Sequence, residues 1–244
     1  MPKWLAEPEA GAHVVSVSLA SVAAICAELP ERTVSWLSAS EQRRCEAISA
    51  QHRRQQFLAG RWFARQCLAR WGGGVWSDYV LSASDDGPPL VLQAPFDLST
   101  RPVHVSVSHS ADGVACAVAS HPIGVDVEDS ARERDIDALG AFIHGPREEA
   151  CLAALNATDR RHQFFARWSL KEAWLKHQPT SLAMSEIECA PGDPMSAEAV
   201  VLHSTEWVVA VAPVQIGKLR VCGELFDGVV ATPWRFLRDR PVMI

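Results

Sequence analysis

Apolar and polar residues alternate most clearly between residues 103 and 128, VHVSVSHSADGVACAVASHPIGVDVE. Val103, Val105 and Val107 alternate with polar neighbours, Ala111-Asp112-Gly113 reads as a turn, 114–119 as a returning strand, and His121-Pro122 leads into a further strand. Elsewhere the period is helical. Ser38 or Ser40 is placed to cap a helix with Glu41 in its first turn, and Ile48, Phe57, Leu58, Phe63 and Leu68 recur at helical spacing as far as Trp71. Gly72-Gly73-Gly74 ends that run, so one main helix is expected over about 40–71. Before it, residues 13–30 combine an alternating VVSVSL strand with a short apolar helix ending near Pro30. The second half predicts helical segments over 134–178 and strands near 185–189, 199–203, 207–212 and 219–226. Helix followed by strands, met twice, predicts an α+β fold of two similar helix-plus-antiparallel-sheet lobes in a pseudo-twofold arrangement within one chain. The lobes are expected over residues 1–120 and 121–244, with a ligand between them.

Composition narrows this picture. The chain has 244 residues, 48% of them hydrophobic, enough for a large core. No apolar run is long enough to cross a bilayer, and MPKWLAEPEAG is broken by charge and proline before a signal-like run develops. Seven scattered cysteines without a C-x-x-C pair fit free thiols in a reducing cytoplasm. The net charge of −6 argues against nucleic acid as a partner, yet it is unevenly distributed. Between Arg43 and Arg70 seven arginines face a single acid, Glu46, a local balance of +6. Such a segment either solubilises a helix or provides a site for a compact anion.

Two features carry chemistry. In GVDVEDS, residues 124–130, Val125 and Val127 share one strand face while Asp126 and Glu128 share the other. Two carboxylates at that spacing, about 6–7 Å, repel unless a cation lies between them or water covers them. The second feature is the helix RRHQFFARWSLKEAWLKHQP, residues 160–179. With Phe164 at zero, Leu175, Trp168 and Phe165 fall at about 20°, about 40° and about 100°, an apolar stripe expected to be buried. Glu172 falls inside it at about 80°, with Lys176 at one margin and Lys171 at the other. Glu172 then either pairs with Lys176 one turn on, worth about 0.2–0.5 kcal/mol, or serves another purpose. The second reading joins Asp126, Glu128 and Glu172 as oxygen ligands of one hard divalent cation, with the flanking lysines meeting phosphates that the ion holds.

G-V-D-V-E at 124–128 followed by W-S-L-K-E-A-W-L-K at 168–176 resembles the paired signature of the Sfp-type 4′-phosphopantetheinyl transferases. V-S-H-S at 107–110 is similar to a further motif of that family, and F-L-A-G-R at 57–61 fits its first-lobe helix. The resemblance implies transfer of the phosphopantetheine arm of coenzyme A to a serine of an apo acyl, polyketide or peptidyl carrier protein, with release of 3′,5′-ADP. It implies Mg²⁺, with Mn²⁺ as the alternative ion, held by Asp126, Glu128 and Glu172. Glu172, Lys176 and Asp126 become the catalytic candidates, Glu172 also as the base for the serine proton. Lys176 and Lys171 are expected at the pyrophosphate. Ser108 and His109 are expected at the 3′-phosphate, helped by Arg44 and by Arg53 or Arg54. A cytoplasmic monomer is expected, since two lobes in one chain enclose a site without a second subunit, with neither nucleic acid nor membrane as partner.

Two departures from the family pattern stand out. Gly87-Pro88-Pro89 replaces a Gly-Lys-Pro turn, removing a lysine expected near the pyrophosphate, and Glu148 is the match for a further glutamate that many relatives carry. Two rival classes share the same residues. A metal-dependent phosphoesterase would use clustered carboxylates but commonly needs a second ion and a positioned water. A catalytically silent coenzyme A or carrier-protein binding module would not require Glu172.

Overall fold

The computed structural model describes residues 15–30, 34–83, 87–178, 181–226 and 228–237. Two mixed halves appear, each with one long helix against a sheet. Strand β1 (Val15–Ser21) leads into the short helix α1 (Val22–Cys26), which Ser21 caps. The expected helix over 40–71 is two helices, α2 (Ala39–Ala47) and α3 (Gln51–Gly72). Ser38 caps α2 in a reciprocal box with Glu41. The chain is extended at Ile48 and at Ala50 on either side of the break. A two-stranded ribbon, β2 (Val80–Leu81) and β3 (Val91–Gln93), precedes β4 (His104–Ser110) and β5 (Gly113–Ala119). Strand β6 (Gly124–Asp129) opens the second half. Three helices follow: α4 (Ile136–Ile143), α5 (Pro146–Ala153), started by Pro146 at its first turn, and α6 (Ala157–His177), capped by Asn156. The chain ends in β7 (Glu188–Pro191), β8 (Ala199–His203), β9 (Trp207–Ala212), β10 (Leu219–Cys222) and β11 (Val230–Leu237).

The first sheet has the order β10-β1-β5-β4 and the second β6-β9-β8-β11-β7. All their ladders are antiparallel except β1 with β10, where Val15 pairs with Leu219 in parallel. That pairing returns residues 219–222 to the first sheet, across the division expected at 120. β11 is an additional strand, and Pro233 within it breaks the sequence signal that marks strands elsewhere.

Three cores set the layering. Phe63, Leu68, Val105 and Val118 fill the space between α3 and the first sheet. Val17, Leu19, Ala115, Val125, Val127 and Val209 fill the space between the sheets, and Phe164, Phe165, Leu170, Ala210 and Trp234 join α6 to the second sheet. The order is therefore helix, sheet, sheet, helix. β5 is buried along its whole length because its alternate residues enter two of these cores. No helix among the described residues is long and apolar enough to cross a membrane.

Candidate active site

Strand β6 is the edge of the second sheet and lies beside β4, the edge of the first. Serine hydroxyls on one face of β4 join them. Ser106 Oγ accepts the Val125 N–H at 3.1 Å and Ser110 Oγ the Asp129 N–H at 3.4 Å, so donors of an edge strand find partners without a backbone ladder. The same row holds the carboxylates. Ser108 Oγ donates to Asp126 Oδ1 at 2.8 Å, and Ser110 Oγ to Glu128 Oε2 at 3.0 Å. The polar positions of V-S-V-S-H-S thus include three buried serines that join the halves of the molecule.

Gly124 fixes the other wall. A Cβ at this position would lie 1.8 Å from the Ala173 carbonyl oxygen, so only glycine lets α6 pass this close to the start of β6. The close passage carries Lys176 across β6, where its ammonium donates to Asp126 Oδ1 (2.7 Å), Ser108 Oγ (2.9 Å) and the Val125 carbonyl (3.1 Å). Those three acceptors match the three protons of an ammonium.

The buried face of α6 differs from the one expected. Phe164 and Phe165 are buried, but so are Ala166, Arg167, Ser169, Leu170, Lys171 and Ala173, which cover most of the circumference. Trp168, Glu172, Leu175 and Lys176 form the half-buried line instead. Glu172 therefore does not sit in a closed apolar stripe. It lies on the least covered side of α6, with Leu175 and Lys176 lining a cleft of about 400 Å³ between the halves. Across the cleft stand Gln56, Phe57 and Arg61 of α3, Gly87-Pro88-Pro89, and Val107 and His109 of β4.

Electrostatics sets this group apart. Glu128 is pushed above the ordinary glutamate value by burial and then by Asp126, against the pull of Arg134 and the Ser110 hydroxyl. Glu172 is pushed up by burial, by Asp126 and by Glu128, against Lys176. Asp126 Oδ2 is buried without a hydrogen-bond partner. Asp126, with its orphaned oxygen, and the two glutamates whose proton affinity it raises offer carboxylate oxygens of the kind a hard cation takes. Among the described residues no three acid, histidine or cysteine side chains converge closely enough to hold an ion as they stand. Lys176 on Asp126 and Arg134 on Glu128 supply the positive charge.

The other expected residues divide. His109 borders the cleft, where the low-dielectric surroundings, then Lys176 and Arg53, hold its pKa below the ordinary value. That places Arg53 and Lys176 within electrostatic reach of His109, and Arg44 within reach of Arg61. Arg54 donates to the Ile48 carbonyl at the break between α2 and α3. Ser108 is buried and engaged with Asp126 and Lys176. Lys171 is not brought to the cleft. It is fully buried, donates to the Ile143 carbonyl at 2.5 Å and pairs with Glu148, because its direction on α6 points into the α4–α5 side. Glu148 likewise belongs to that buried pair. Pro88 does border the cleft, where the family's lysine was expected.

Arg61, Arg134, Ser106 and Ser110 had no individual role in the sequence. Arg61 had a signal in its i+4 spacing from Phe57, over whose ring its guanidinium lies at 5.0 Å. Arg65, one turn further on, forms a buried two-point pair with Glu41 at 3.0 and 2.6 Å, so part of the basic segment is structural.

Comparison with known proteins adds an independent observation. Residues 122–211 match the model of the ACPS family, the 4′-phosphopantetheinyl transferase superfamily. The 4′-phosphopantetheinyl transferase Sfp of Bacillus subtilis (strain 168) is 25% identical over 154 residues, 63% of this chain and 65% of that protein. The 4′-phosphopantetheinyl transferase HetI of Nostoc sp. is 28% identical over 156 residues, 63% of this chain and 65% of its own length. That named gsp, from Aneurinibacillus migulanus, is 34% identical over 74 residues, 30% of each chain. The chain thus spans just under two thirds of the length of the first two relatives. Among solved structures, the Mycobacterium tuberculosis acyl carrier protein synthase is 20% identical with a TM-score of 0.33, covering 44% of this chain and 96% of that one. A TM-score that low carries no argument about this chain.

Proposed function

We propose, from the match of residues 122–211 to the 4′-phosphopantetheinyl transferase superfamily, that this chain is a member of it and transfers the 4′-phosphopantetheine of coenzyme A to a serine of an apo carrier protein. The observation that carries the reading is the seating of α6 on Gly124, which puts Lys176, a residue of the cleft wall, on Asp126 at 2.7 Å and Glu172 within electrostatic reach of Asp126 and Glu128. Coenzyme A is the substrate that suits this cleft. Arg61, His109 and the neighbouring Arg53 and Arg44 offer positive or protonatable groups to its phosphates, and Phe57, Val107 and Leu175 offer apolar wall.

In the proposed reaction the carrier serine Oγ forms a bond to the β-phosphorus while the bond from that phosphorus to the bridging oxygen breaks, releasing 3′,5′-ADP. Glu172 takes the serine proton. Its raised pKa makes it a stronger base than an ordinary carboxylate, at the cost of protonation at a higher pH. Asp126, Glu128 and Glu172 are the side chains that would hold Mg²⁺, which when bound neutralises charge on the pyrophosphate oxygens. Lys176 keeps Asp126 oriented through Oδ1 and leaves Oδ2 unpartnered.

Incubation with apo carrier protein, coenzyme A and MgCl₂, followed by mass spectrometry of the carrier, tests this. A gain of one phosphopantetheine is expected. Release of free phosphopantetheine would select hydrolysis instead, and an unchanged carrier with bound coenzyme A would select a binding module.

A further inference from the structure

We infer that Arg134 is a built-in counter-cation that competes with a divalent metal ion for Glu128, so that this chain holds its metal less tightly than its three carboxylates alone would allow. The inference rests on the proposed reading of those carboxylates as metal ligands. Arg134 lies in the loop that follows β6. Its Nη2 donates to Glu128 Oε2 at 3.0 Å, and its guanidinium carbon stands 4.8 Å from the centre of the Trp168 ring. Trp168 precedes Glu172 by one turn on the same side of α6, so the stacking platform holds the guanidinium beside the acid group. Ser110 donates to the same oxygen of Glu128, which leaves that oxygen with two donors, one of them permanently charged. A metal approaching Glu128 meets a carboxylate whose charge is already answered.

The alternative is that Arg134 only ties its loop to α6. The structure gives that task to another side chain. Arg161 donates to the Ser130 carbonyl from Nε at 3.1 Å and from Nη2 at 2.9 Å, and to the Arg132 carbonyl at 2.5 Å, while its guanidinium covers Phe165. Loss of Arg134 therefore leaves the loop anchored and removes a positive charge from Glu128. The two roles predict opposite signs for metal affinity.

Titration calorimetry of the whole chain with MnCl₂, without coenzyme A, separates them. R134Q is expected to bind the ion about 3- to 10-fold more tightly than the unaltered protein, and R134K, which keeps the charge, within about twofold of it. The gain should shrink in high salt. The melting temperature in chelator checks folding, and R134M, whose stem still lies on Trp168, carries the same expectation if R134Q does not fold. Unchanged or weaker binding by the neutral variants, with clear binding by the unaltered protein, would overturn the inference alone. Absence of binding by the unaltered protein would overturn the metal reading and this inference with it.

Discussion

Glu148 and the group of Asp126, Glu128 and Glu172 lie on different sides of α6, and the fold treats their charges in opposite ways. Glu148 Oε2 pairs with Lys171, accepts the Gly145 N–H at 3.2 Å and lies 3.4 Å from His144 Nδ1, while Oε1 accepts the Cys189 N–H at 2.8 Å. Burial alone would raise its pKa, but His144, Lys171 and the Cys189 N–H outweigh burial and hold it to about 2. Across the helix Asp126 keeps an orphaned oxygen, and Glu128 and Glu172 are pushed up. Lys171 and Glu172 are adjacent in sequence and point about 100° apart, one into each environment. A saturated buried carboxylate holds a structure together, whereas one with an orphaned oxygen, as Asp126 has, keeps capacity for a ligand.

The largest expected effect breaks the under-satisfied side. Glu172→Gln keeps the shape and removes the proposed base, so kcat at saturating coenzyme A and MgCl₂ should fall about 10²–10⁴-fold. Its melting temperature in chelator should hold or rise, because one of three mutually repelling acids is gone. A kcat within about threefold of the unaltered protein would remove Glu172 from the proposed catalysis, whatever the melting curve showed.

The saturated side should respond in the other currency. Glu148→Ala leaves Lys171 buried without its counter-charge, an arrangement that typically costs about 3–5 kcal/mol in urea unfolding. Turnover per folded molecule should change little. If turnover fell as steeply as in Glu172→Gln while stability held, Glu148 would belong to the chemistry and the contrast between the two sides would collapse.

The smallest effect is a difference in pH slopes. Glu148 has a folded pKa of about 2 against an ordinary 4.5, so its stabilisation is complete above the ordinary value and is lost as pH falls from about 4.5 towards about 2. Glu128 and Glu172 shift the other way. The folded state holds their protons more firmly, so their contribution is complete below the ordinary value and is lost as pH rises through the raised folded one. Without metal, Glu172→Gln should flatten the decline above about pH 4.5 and leave the acid limb alone. Urea unfolding from about pH 3 to about pH 7 reads both slopes, and an unaltered upper limb would mean that Glu172 carries no such shift.

Much of the fold was legible because its signals are local. The alternation of 103–128 became β4, β5 and β6, the Ser38–Glu41 box starts α2, and Asp126 and Glu128 share a strand face as their spacing required. The parallel return of β10 to β1 was not legible, since nothing within Leu219–Cys222 specifies a partner in Val15–Ser21. Nor was the interruption between α2 and α3, where apolar spacing continues through a backbone that does not.

The sequence by itself therefore determined most of the strands and helices, though not β11 or the break between α2 and α3, and which acids and lysines were available, because side-chain period and capping act over a few residues. The tertiary structure decided which lysine meets which acid. A helix buried around most of its circumference has no single apolar stripe to announce its inner face, so Lys171 and Lys176 look alike in sequence. Only the approach of α6 to Gly124 sends Lys176 to Asp126, and only the packing of α5 against α6 sends Lys171 to Glu148.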